Sequence, residues 1–161
     1  MKKKNTTERG KFKEYIQTAL YKSENVKSII LDNTGGMTPS QIREEFKNHV
    51  KSHLFIDDTM EKTGSFIFYD VRMPSLRENI KKCEVLMYVI SHEDTLDNYH
   101  NEQFPGNRAD ALSQMVEDCL INNEETAKEF GIGDIELTNV DIYVSKRFYG
   151  CIMRFTAYNF R

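Results

Sequence analysis

The sequence predicts an α+β fold: a single domain in which a mostly antiparallel sheet packs against helices. Three observations carry that prediction. Apolar residues near the N-terminus recur at helical spacing. From about Leu54 onward the period drops to two, with one helical stretch interrupting it. The last strand-like segment follows a turn, as the second arm of a hairpin does. At 161 residues the chain has the length of one domain, and a chain of this size buries about 70% of its unfolded surface.

The first eight residues are polar and predict a flexible arm, with the folded domain at 9–161. From Glu8 to about Lys22, Phe12, Tyr15, Ile16, Ala19 and Leu20 line one face of an amphipathic helix. Val26 to Leu31 fits a short strand or a packed turn. Asn33-Thr34-Gly35-Gly36 is a turn. A second helix opens at Thr38, with Pro39 at its first position and Gln41 completing a capping box. Ile42, Phe46 and Val50 mark its buried face, and it is expected to end near Ser52.

Leu54-Phe55-Ile56 is a strand candidate. Ser65 to Val71 is dense in aromatic and β-branched residues, as a strand requires, and Pro74-Ser75 is expected to break it. Lys82 to Ser91 is the longest apolar run and predicts a central strand covered on both faces. The segment 92–107 is polar, contains Pro105-Gly106, and is longer than a compact connection needs. It is therefore a candidate binding or assembly loop. Asn107 caps a third helix whose buried stripe is Leu112, Met115, Val116, Cys119 and Leu120. Glu124 to Phe130 adds a turn or two, and Gly131 suits the left-handed position that ends it. Ile135 to Val144 alternates, with a slip near Thr138-Asn139 that signals a β-bulge. Ser145 to Gly150 is the hairpin turn, and Cys151 to Phe160 the closing strand.

Charge and motif content exclude several functions. The chain carries 22 Lys+Arg and 25 Asp+Glu, without the basic excess of a dedicated nucleic-acid binder. No apolar run approaches the roughly 18 residues of a membrane-spanning helix. Lys2-Lys3-Lys4 runs into Asn5, Thr6 and Thr7, not into the apolar segment of a secretory signal. Cys83, Cys119 and Cys151 are scattered in apolar stretches, as reduced thiols of a cytosolic compartment are. No nucleophile elbow is present, and Gly35-Gly36 and Gly131-x-Gly133 lack the context of a phosphate loop. His49 and His53 have the i, i+4 spacing of paired metal ligands, but Val50 stands where a zincin needs Glu. His92, Glu93, Asp94 and His100 gather in the long loop and form the best candidate for a divalent site. Replacing His92, Asp94 and His100 by Ala is expected to leave the fold and any assembly largely intact. What remains is a domain with an arm, a long loop and strand edges, all means of pairing with other subunits.

Three segments carry a resemblance over roughly residues 50–161. Phe104-Pro105-Gly106-Asn107-Arg108-Ala109-Asp110 leads into a helix. Gly131-Ile132-Gly133-Asp134-Ile135-Glu136-Leu137 follows it. Arg147-Phe148-Tyr149-Gly150 precedes a strand ending Tyr158-Asn159-Phe160. This order resembles tail terminator and related head–tail connector (neck) proteins of tailed bacteriophages. The resemblance implies a homo-oligomeric ring, usually of six subunits, on the last ring of the tail tube. Such a ring stops tube growth and meets the neck or head-completion proteins and, in some particles, the sheath. It implies a virion location and no catalysis, cofactor, metal, membrane or sequence-specific nucleic acid. The candidate assembly contacts are Asp94, Tyr99, His100 and Phe104 in the loop, and Arg147, Phe148 and Tyr149 at the hairpin. Other expectations stand beside it: another head-closure connector, a cytosolic adaptor, or a small metal-dependent hydrolase using His92, Asp94 and His100.

Overall fold

The computed structural model describes residues 5–31, 34–54, 63–76 and 80–160. Its elements are α1 (Asn5–Lys22), α2 (Glu24–Ile30), α3 (Pro39–His49), β1 (Val50–Lys51), β2 (Ser65–Leu76), β3 (Ile80–His92), α4 (Arg108–Ile121), α5 (Glu124–Glu129), β4 (Ile135–Val144) and β5 (Phe148–Phe160). The strands form one sheet in the order β1-β2-β3-β5-β4. β1 is parallel to β2, and every other pair is antiparallel. This is the expected α+β domain, with N-terminal helices, a long α4 and a C-terminal hairpin.

α1 buries Phe12, Tyr15, Ile16, Ala19 and Leu20, as the spacing predicts. It begins at Asn5, so residues 5–8 of the expected arm are helical; residues 1–4 lie outside the described residues. The segment after it is a helix, in place of the expected strand or turn. Val26, Ile29 and Ile30 are buried at i, i+3, i+4, and the Ser23 side chain accepts the Val26 N–H. Helical burial plus a cap outweighs the few tenths of a kcal/mol by which β-branched residues disfavour helix. α3 carries the predicted capping box: Thr38 N–H donates to Gln41 Oε1 at 2.9 Å, and Gln41 N–H to Thr38 Oγ1 at 3.2 Å. It ends at His49, where Val50 turns into β1 beside Ile67 of β2. Of the strand expected at Leu54-Phe55-Ile56, Leu54 belongs to no element and the other two lie outside the described residues.

β2 does not stop at Val71. It runs through Pro74 to Leu76 across a register shift between Arg72 and Ser75. Proline is tolerated at such an irregularity, where a ladder N–H is not required. β3 is central, as expected, but it is not covered on both faces. Cys83, Val85, Met87 and Val89 face the helices and are buried, while Glu84, Leu86 and Tyr88 on the other face are only half-buried. The main core lies between the sheet and α1, α2 and α4. Tyr15 OH reaches Leu120 O at 3.1 Å, and Tyr69 OH reaches Gln17 Oε1 at 2.7 Å, so both large polar tips are satisfied. A smaller cluster of Phe66, Phe68, Ile90 and Phe148 covers one end of the opposite face. β3 and β5 approach so closely at Gly150 that a Cβ there would run into the Val89 carbonyl oxygen.

Candidate assembly surface

β4 is the last strand of the sheet, and among the described residues no strand pairs with its outer edge. Its first half is held down, with Ile135 and Leu137 packed against the main core. The predicted bulge is present, because the register to β5 shifts between Leu137 and Asn139. That extra residue returns Val140, Ile142 and Val144 to the face carrying Ile135 and Leu137, opposite Met153, Cys151 and Tyr149 of β5. This half of the strand has run past the helices. Val140 is 54% exposed, Ile142 74% and Val144 69%. Asp141 and Tyr143 alternate with them onto the other face, where the Tyr143 ring meets Tyr88 edge-on at 5.5 Å. The result is a flat row of β-branched side chains beside a line of backbone donors and acceptors, the feature that soluble proteins ordinarily blunt.

The opposite edge of the sheet is blunted. β1 pairs with β2 at Ile67 and Phe68. Just beyond, Arg9 Nε donates to Val71 O at 2.7 Å and its Nη2 to Asp70 Oδ1 at 2.6 Å, while Lys13 Nζ sits 2.8 Å from the same carboxylate. Partial burial acts to raise the Asp70 pKa. The Lys13 and Val71 N–H hydrogen bonds, with the charges of Lys13 and Arg9, outweigh it and hold the carboxyl below its ordinary value.

The structure divides the residues expected to make assembly contacts. Arg147 is exposed and Tyr149 half-buried, both at the hairpin beside Val144. Phe148 is 6% exposed, packed on Phe66 and edge-on to the His92 ring at 5.3 Å, so it is a core residue of its own chain and not a free anchor. Phe104 is 7% exposed and joins the main core, which likewise removes it. The loop that carries it is pinned to its own domain. It starts with a single 3-10 turn, Glu93–Thr95. Arg108 Nε then donates to Thr95 O at 3.0 Å, and its guanidinium lies 5.1 Å from the centre of the Tyr99 ring. Tyr99 is half-buried there, whereas Asp94 and His100 remain exposed.

The candidate metal ligands do not converge. His92 is buried, its Nδ1 accepts the Asp94 N–H at 3.2 Å, and Asp94 Oδ2 is 3.6 Å away. His49 places one ring nitrogen 3.0 Å from Glu45 Oε1 and the other 2.9 Å from Ser65 O, with its ring stacked on Phe66. His53 lies beyond β1 and not on the same helix face. Among the described residues no three such side chains are placed to hold a metal. Burial pushes the Cys119 thiol up to about 12, with the Asp118 charge adding to it. Burial raises Cys151 to about 11 against a hydrogen bond from Ser113, so both stay protonated at neutral pH.

Sequence reasoning places Val140, Ile142 and Val144 with Ile135 and Leu137 as the apolar positions of an alternating strand and does not single them out as a surface. Alternation gives the face a strand residue occupies, but not where the helix covering that face ends. These features define a class: an α+β domain with helices on one side of a mixed sheet and an apolar sheet edge that no strand covers among the described residues. The chain belongs to the YomW family, whose model matches residues 13–157, from α1 into β5. No curated protein matches it.

Proposed function

We propose that this chain is a structural virion subunit: a tail terminator that forms a ring at the head-proximal end of a phage tail or tail-like particle. There it stops tube growth and joins the tube to the neck. The observation that carries the proposal is the β4 edge, unpaired among the described residues, with Val140, Ile142 and Val144 exposed. A protein whose work is to bind neighbours needs a surface that is costly to leave in water and offers backbone groups for pairing, and an exposed apolar edge strand supplies both. The Phe148-Tyr149-Gly150 start of β5 and the Asn107-capped helix add the resemblance to terminator and connector proteins. A terminator acts by occupying the growing end of a polymer and presenting a different face beyond it, so binding geometry is its whole mechanism. Depleting the chain from cells that make the particles is expected to give tubes of uncontrolled length that lack heads. Tubes of normal length, joined to heads, would refute the proposal.

A further inference from the structure

We propose that two free copies of this chain pair through β4, antiparallel, across a two-fold axis at Ile142. The proposal goes beyond the ring and does not rest on it. A ring with one face to the tube and the other to the neck has no such axis, so the pair belongs to the free subunit.

Three observations select a second copy as the occupant. Among the described residues no strand pairs with this edge, and its three apolar side chains are the most exposed of their kind. The other edge of the same sheet is blunted by the two-residue β1 and by the Arg9 side chain on Val71 O, which disfavours adding sheets head to tail through it. The β4 sequence is also complementary to itself in one register. With Ile142 facing its own copy, Val140 faces Val144 of the partner subunit, and Asp141 faces Tyr143 of the partner subunit. Every apolar residue of the row then meets an apolar one, and no like charges oppose. Centring the axis one residue earlier sets two Asp141 carboxylates against each other. Centring it one residue later sets Val140 against the partner's Lys146. The Ile142 register closes after two copies, because an isologous contact uses the same patch on both. It therefore hides the apolar row without starting a fibre.

Sedimentation equilibrium of the purified full-length chain tests this, with circular dichroism to verify folding. The wild type is expected to sediment at twice the monomer mass. Ile142→Asp is expected to sediment as a folded monomer, since it changes an exposed position and places two carboxylates on the axis. The register has its own test. Tyr143→Lys sets an ammonium group opposite Asp141 twice across the axis and is expected to tighten the dimer about threefold or more. Adding Asp141→Lys to that variant opposes lysines and is expected to abolish the dimer. A wild type that is monomeric at every concentration would overturn the proposal, as would a dimer that survives Ile142→Asp. A hexamer in place of the dimer would also overturn it, while supporting the ring.

Discussion

Met115 ties the phase of one helix to the survival of the domain. It is 2% exposed on the core face of α4. A carboxylate there has no partner, and burying an unpaired charge costs several kcal/mol against a total stability of about 5–15 kcal/mol. Met115→Asp is expected to be unfolded by circular dichroism at room temperature; a cooperative melt would show that α4 presents another face. His92 corrects an expectation at the same scale. Met115 is legible from periodicity alone, but His92 sits in a polar stretch, and its sequence neighbours hide the fact that it closes β3. It is 3% exposed, pairs across the sheet with Phe148 and caps the 3-10 turn through Asp94 N–H. Replacing His92, Asp94 and His100 together is thus expected to cost stability through His92. His92→Ala is expected to lower stability by about 1–3 kcal/mol through a cavity and a lost cap. His100→Ala, at an exposed position, is expected to stay within about 0.5 kcal/mol. Denaturant midpoints separate the two.

Elements that announce themselves through local chemistry are legible from the sequence alone. The Thr38 and Asn107 caps, the α1 stripe and the slip in β4 each involve residues a few positions apart, so the sequence shows both partners. Elements defined by distant partners are not. α2 reads as extended because Val26, Ile29 and Ile30 are β-branched, and their joint burial against α1 and α4, added to the Ser23 cap, makes the helix favourable. β2 continues past Pro74 because β3 holds it from the other side. The blocked edge belongs to the same group, since Arg9 and Asp70 are 61 residues apart in sequence. Its pH dependence follows from sign. The folded pKa of Asp70 is depressed, so its contribution is fully present above the unfolded carboxyl value near 3.9. It is lost as pH falls through that value toward the lower folded one. Stability is expected to drop from about pH 5 downward, and Asp70→Asn to flatten that slope. An unchanged slope in urea titrations would show that the Arg9–Asp70–Lys13 contact contributes nothing in solution, as some exposed ion pairs do.

At the scale of the whole molecule, the two ends of the sheet explain each other. One end is closed by a short parallel strand and an arginine. The other carries β-branched residues past the reach of the helices, onto an edge with nothing beside it among the described residues. The positions of Arg147 and Tyr149 beside the hairpin are legible because the turn signal lies within a few residues of them. The three residues that make the surface are not, because burial depends on where α4 and α5 end in space. Assembly at the head–tail junction is the claim that gathers these features. Immunogold electron microscopy of intact particles, with antibody to this chain, tests it most directly. Gold confined to the head–tail junction, or to the head-proximal end of free tails, is the expected result. Particles without label, and the chain found only in the soluble fraction of the cell, would contradict it.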